Sequence, residues 1–206
     1  MFQRKNKNKN YLLIGSSLIL LTSLIIFSYY NLKDYVDKKQ EEKKIEEFIQ
    51  TEINTNIEIK EETKEEIKKE KKDNKIDYLA VIEIPKINLK KGLYNIDSIN
   101  NNVNRNIEVL KESNMPDYIN GNFILASHSG YGSIAYFHNL NKLSVNDEVY
   151  IYYSGKKYIY KVSDIYEIDK TGKASIKRDM SRSTLTMFTC KGNTDKQIVV
   201  ISYLVN

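Results

Sequence analysis

Residues 11–30 contain no Asp, Glu, Lys or Arg, and most of them are Leu, Ile, Phe or Tyr. About 20 such residues are what a helix needs to cross a bilayer. The ten residues before the run carry Arg4, Lys5, Lys7 and Lys9 and no acid. That imbalance predicts a cytoplasmic tail over 1–10, an anchor over 11–30 and everything after Tyr30 on the outside. A cleaved signal peptide is the competing reading. The run is long for a signal-peptide core, however, and no small-x-small site closes it. Tyr29, Tyr30 and Tyr35 fit an interfacial belt at the outer end instead.

Residues 31–76 are a different material, dense in Lys and Glu, with no Gly or Pro and only scattered apolar residues such as Ile45, Phe48 and Ile49. Opposite charges recur three and four apart, as in Lys38 and Lys39 against Glu42 and Glu46, the spacing that supports a solvated helix. The β-branched and Asn-containing portion 51–59 interrupts that pattern. The expectation is a charged stalk of broken, partly disordered helix that buries no core of its own. No heptad is sustained through it.

From residue 77 the composition becomes that of a globular domain of single-domain size. Strand patterns appear at Tyr78–Ile84, 121–126, Glu148–Tyr153, 157–162, Thr184–Cys190 and 197–204. Residues 150–160 alternate on both sides of Ser154-Gly155, which is a hairpin signature. Short helices are expected over 104–112 and 133–139. Many short strands separated by turns point to a mainly β domain closed into a barrel, which removes sheet edges.

Cys190 is the only cysteine in the chain and falls at the end of the strand Thr184–Cys190, before the turn Lys191-Gly192-Asn193. Alternation puts Leu185, Met187 and Thr189 on one face and Thr186, Phe188 and Cys190 on the other. His128 ends a second strand-like run, 122–128, which stops at Ser129-Gly130. A cysteine nucleophile needs a nearby base or cation to supply thiolate, and histidine is the usual partner. The pair reads as a Cys/His acyl-transfer site. A small buried hydrophobe and a loop histidine are the plain alternatives.

Thr186-Met187-Phe188-Thr189-Cys190 resembles the TLxTC motif of sortases, the membrane-anchored cysteine transpeptidases of Gram-positive bacteria, and 125–130 resembles their histidine strand. Residues 82–89 are similar to the first strand of the sortase barrel, and 136–143 with Asp147-Glu148-Val149 to the segment after the histidine. The resemblance runs from about Tyr78 to the C-terminus. It implies a sortase-type β-barrel with one or two short helices over 77–206, preceded by the transmembrane helix and the stalk. The connection 169–183 is too short for the added helix of class B enzymes, so the chain looks more like class D or class A. The resemblance also implies an activity: Cys190 attacks an LPxTG-like sorting signal, a thioacyl enzyme forms, and the protein passes to an amine of the cell wall or a pilin. His128 would protonate the leaving amine. Surface proteins with C-terminal sorting signals would be the substrates.

Two residues depart from the pattern. Met187 replaces a leucine, a volume-conserving change. Sortases place an arginine at the start of the strand after the cysteine, whereas here Gln197 takes that position with Lys196 beside it, and no arginine follows Cys190. Neither reproduces a bidentate guanidinium at an oxyanion. Arg178 and Arg182, in the loop before the cysteine strand, are the candidates to swing in. A catalytically weakened binding module and a cysteine peptidase using water therefore stay open beside the transpeptidase.

Other classes are disfavoured. One Cys and two His cannot build a structural zinc site, and no cofactor or metal is expected. His138, the second histidine, reads as a packing or surface residue. The net charge of +5 is spread among acids with no basic-aromatic cluster, so nucleic acid is not an expected partner. A single thiol forms no internal disulfide, so the fold must stand on its core.

Overall fold

A computed structural model describes residues 4–61, 77–172 and 174–205 of the chain, with side chains along the N-terminal helix described over 13–52. The chain divides into two compact units, Met1–Lys44 and Ile45–Asn206.

The first unit is helix. It belongs to α1 (Arg4–Glu61), which is long and apolar enough, by length and composition, to cross a membrane. Its large apolar side chains point outward, with Leu13 and Phe27 each 67% exposed. The hydroxyls of Ser16, Thr22 and Ser23 donate to carbonyls three residues back, at 2.8–2.9 Å, so these polar groups are satisfied within the helix. Farther along, Lys38 pairs with Asp34 one turn earlier at 2.8 Å, the spacing read from the sequence.

The second unit begins with the last turns of α1. Here the structure corrects the broken stalk in two ways. The helix continues without interruption to Glu61, and its face at Ile45 and Phe48 is buried against Val81, with Tyr78, Tyr152 and Ile49 packed around them. Phe48 meets Tyr78 edge-on with centroids 6.1 Å apart. Ile45 and Phe48 are three residues apart and share one helix face, so a single apolar stripe suffices to dock the segment. Such tertiary support outweighs the weak helix propensity of 51–59. The end of the stalk, 62–76, lies outside the described residues.

Eight strands follow: β1 (Tyr78–Ile84), β2 (Leu89–Tyr94), β3 (Glu108–Val109), β4 (Asn122–Ala126), β5 (Glu148–Tyr153), β6 (Lys156–Asp169), β7 (Thr184–Cys190) and β8 (Lys196–Leu204). They form one sheet in the order β2-β1-β5-β6-β8-β7-β4-β3, rolled into a nearly closed barrel. Only β4 and β7 run parallel. The β5–β6 hairpin turns at Ser154 and Gly155, both at positive φ (49° and 69°), as a type I′ turn requires.

Between β2 and β3 the ladder is missing, and side chains close the gap. The buried Asn106 donates to the Gly92 carbonyl of β2 at 2.7 Å. Asn101 mimics a backbone strand for β3, donating to Val109 O at 2.9 Å and accepting from Val109 N at 2.7 Å. These asparagines also explain why no helix forms over 104–112: side-chain bonds such as Asn102 Oδ1 to Asn104 N (2.8 Å) compete with a helical ladder. The other expected helix, over 133–139, is a series of turns, because the Phe137 N–H is committed to the His128 carbonyl. The two short helices are single 3-10 turns at Pro85–Ile87 and Leu140–Lys142.

β2 escaped sequence reading because Lys90-Lys91-Gly92 breaks the apolar pattern. Gly92 leaves room for the Tyr78 ring: a Cβ there would overlap its outer atoms.

Alternation sorts the side chains into two layers. Phe123, Leu125, Leu185, Met187, Ile198 and Val200 join the interior cluster that fills the barrel. Ile124, Phe188, Val199 and Ile201 form a second cluster on the outer face, joined by Ala126, Leu110 and Ile176. The Lys170–Ser183 connection lays Ile176 on this patch and carries no helix among its described residues.

Candidate active site

Cys190 shares parity with Phe188, so it belongs to the outer-face layer, at the end of β7. On one side β8 runs antiparallel and pairs Cys190 with Gln197. The Lys191 N–H bonds the Lys196 carbonyl at 2.9 Å. That makes the next pair in, Cys190 and Gln197, a non-hydrogen-bonded one, the kind in which Cα atoms stand about 4.5 Å apart and side chains are closest.

On the other side β4 runs parallel, pairing Ala126 with Phe188. Two further residues along each strand bring His128 level with Cys190. The ladder continues as far as the Ser127 N–H, which donates to the Phe188 carbonyl at 3.2 Å. One step further, the Cys190 N–H would use the Ser127 carbonyl. The Thr189 hydroxyl donates to that carbonyl, at 2.9 Å, and ties the end of β7 to the residue before His128. His128, Cys190 and Gln197 thus stand at one end of three adjacent strands.

His128 is half-buried, and its Nε2 lies 3.1 Å from Asn104 Oδ1. The amide oxygen accepts, which assigns the proton to Nε2 and leaves Nδ1 as the free nitrogen of the neutral ring. Nothing in the sequence singles out Asn104, one of five asparagines between positions 100 and 106. Only the barrel closure brings it to the histidine.

A cleft of about 350 Å³ opens at the cysteine. Cys190, Thr189 and the β7–β8 turn line one side, and Ser129, Tyr131 and His138 the other. His138, read from the sequence as packing or surface, is half-buried in this wall. Its Nδ1 lies 2.9 Å from the Ser129 carbonyl, and the Tyr131 ring stands 4.7 Å from its own.

The cations considered for the oxyanion position are elsewhere. Lys196 is exposed and pairs with Asp169 on β6 at 2.8 Å. The pairing pulls the Asp169 carboxyl below its usual range and raises the Lys196 ammonium. Lys191, which was not among these candidates and lines the cleft, is held by Glu167 at 2.5 Å. Arg178 donates to the Asn120 carbonyl and to Thr184 Oγ1, at the far end of β7. Arg182 stacks on the Tyr203 ring, 4.1 Å from its centroid. A seven-residue strand is roughly 20 Å long, so neither arginine reaches Cys190 without breaking these contacts. Of the residues considered for that position, Gln197 alone faces the thiol's side. Among the described residues no cluster of His, Cys, Asp or Glu is arranged to hold a metal ion.

A nearly closed mixed barrel with a cysteine ending one of its parallel strands is a known architecture. The family model of the sortase domain matches residues 82–205. This chain belongs to the sortase family, and sortase-type transpeptidation is the activity that membership supports. Sortase C1 from Streptococcus agalactiae is 26% identical, with a TM-score of 0.57 over 66% of this chain and 71% of that one. A Clostridium perfringens sortase D5 transpeptidase is 23% identical, with a TM-score of 0.58 over 81% and 98%. Sortase C-1 from Actinomyces oris is 20% identical, with a TM-score of 0.56 over 78% and 99%. At their lower identity, the last two speak for the fold alone. Curated protein sequences give no match.

Proposed function

We propose that this chain is a cysteine transpeptidase in which Cys190 attacks the threonine carbonyl of an LPxTG-like sorting signal. The observation that carries the reading is the register of β4, β7 and β8, which aligns His128, Cys190 and Gln197 at one end of adjacent strands. The Cys190 thiol gives its proton to the free Nδ1 of His128, Sγ forms a thioester as the C–N bond breaks, and His128 delivers that proton to the departing amine. An amine of a wall precursor or pilin then attacks the thioester, giving its proton to His128 and releasing the thiolate. Gln197 and the Cys190 N–H supply neutral donors to the oxyanion. The apolar outer patch around Ile124, Ala126 and Ile176 receives the leucine end of the signal. Helix α1 anchors the domain in the membrane, N-terminus inside, in a Gram-positive envelope. The Lys170–Ser183 connection, which carries no helix among its described residues, favours a class D or class A-like subclass over class B.

One observation favours a second reading. A glutamine where sortases carry arginine is what a barrel retained for binding alone would show. Incubating the full chain in detergent with an LPxTG peptide and a primary amine separates the readings. Amide product and a peptide adduct on Cys190 are expected, both absent in Cys190→Ala. Acid in place of amide, even at high amine, makes the protein a peptidase. Saturable peptide binding with no adduct makes it a binding module.

A further inference from the structure

The cleft beside Cys190 has a second wall that the proposed chemistry does not use. His138 Nδ1 faces the Ser129 carbonyl at 2.9 Å. A carbonyl only accepts, so Nδ1 carries the proton and Nε2 of the neutral ring keeps its lone pair. Tyr131, 96% exposed, presents its ring beside the imidazole with centroids 4.7 Å apart. Lys191 is the one formally charged side chain among the lining residues, and Glu167 holds its ammonium.

A hydrogen-bond acceptor beside an aromatic face, with no free charge, suits one class of ligand. A primary amine offers N–H donors to the imidazole, and its protonated form is attracted to the ring face. The volume of about 350 Å³ has room for a lysyl side chain or a short peptide amino terminus.

We propose that this cleft is the acceptor subsite and that His138 Nε2 takes a hydrogen bond from the incoming primary amine, aiming its lone pair at the thioester on Cys190. The inference rests on Cys190 being acylated as described above. The amine loses one proton to water on entering. Its lone pair forms the C–N bond, the C–S pair returns to Sγ as thiolate, and the second proton leaves through His128. His138 orients and selects the acceptor and takes no proton.

The test uses the full chain in detergent with an LPxTG peptide and either triglycine, an α-amine, or Nα-acetyl-lysine amide, an ε-amine. The ratio of amide to acid at fixed amine depends only on how the thioester partitions, so a change in acylation rate leaves it alone. His138→Asn keeps an N–H for the Ser129 carbonyl and lacks the lone-pair nitrogen. The expected result is an amide-to-acid ratio about tenfold lower than wild type with at least one amine, in His138→Asn and His138→Ala alike. The amine that shows the loss identifies the acceptor. A wild-type ratio in His138→Asn with both amines, whether or not His138→Ala is impaired, assigns the histidine a structural role and overturns the subsite. Wild-type protein that forms no Cys190 adduct fails at the earlier step, and both readings fall together.

Discussion

Cys190 and Gln197 face each other as a non-hydrogen-bonded pair of β7 and β8. In the proposed mechanism a neutral amide therefore takes the oxyanion role, and it offers a weaker, unforked donor than a guanidinium. Removing one oxyanion donor typically costs about 2.7–4 kcal/mol, measured at well-preorganised sites. Gln197→Ala should lower kcat/KM by about tenfold to a hundredfold, and Gln197→Arg should raise it above wild type. Steady-state transpeptidation kinetics of the three proteins check this. Gln197→Ala at full activity would remove the glutamine from the site.

Asn104 acts through His128. Its amide oxygen fixes the ring by Nε2 at 3.1 Å, and it is itself held by a backbone bond to Asn102 Oδ1 at 2.8 Å. Asn104→Ala frees the imidazole to rotate, so the fraction of molecules with Nδ1 toward the leaving amine falls. We expect kcat about tenfold lower with KM for the peptide little changed, and Asn104→Asp, which keeps the acceptor, closer to wild type. Pre-steady-state release of the leaving peptide measures the step directly. A rise in KM alone would make Asn104 a substrate-binding residue.

The strand that ends in Cys190 was legible because it is built from local patterns. Alternation over Thr184–Cys190 and the turn after it were enough to place the thiol at a strand end, and the strand bounds there and at Tyr78–Ile84 and Glu148–Tyr153 agree with the structure. What escaped depends on long-range contact. β2 hides behind Lys90, Lys91 and Gly92, and its glycine makes sense only beside the Tyr78 ring. The Asn104–His128 contact spans 24 residues and forms only when the barrel closes. The docking of Ile45 and Phe48 was invisible for the same reason: a two-residue stripe in a Lys/Glu-rich helix gains meaning from Val81, on the outward face of β1.

That docking makes the end of the helix part of the folded unit. Phe48 is 8% exposed and Ile45 1%, and truncating a buried Phe typically costs about 3–5 kcal/mol. The segment can detach instead of leaving a cavity, so Phe48→Ala is expected to cost about 2 kcal/mol, the transfer of one side chain. A fragment of residues 45–206 should melt several degrees above one of 77–206, and Phe48→Ala should erase much of that difference. Calorimetry on the three proteins reads it. Equal melting temperatures for the two fragments would mean that the helix adds nothing to the barrel.

The tyrosines of β5 and β6 set an alkaline limit on stability. Tyr160 is 1% exposed, and burial, with smaller contributions from Tyr158 and Asp117, pushes its hydroxyl above the ordinary tyrosine range. Burial and the Glu83 carboxylate, 2.9 Å away, do the same to Tyr152. In the unfolded chain these groups ionise near pH 10. Between that pH and their raised folded values the native state binds more protons than the unfolded state, so stability falls as pH rises. Their contribution is fully present below about pH 10 and is lost progressively above it. The melting temperature should therefore drop steeply above pH 10. Tyr160→Phe, which has no proton to lose, should drop less steeply, although it starts from a similar value at pH 8. Thermal denaturation followed by circular dichroism from pH 8 to 11 compares the slopes. Lysine titration over the same range is common to both proteins and cancels in the difference. Parallel curves would show that Tyr160 ionises in the fold as readily as in the open chain.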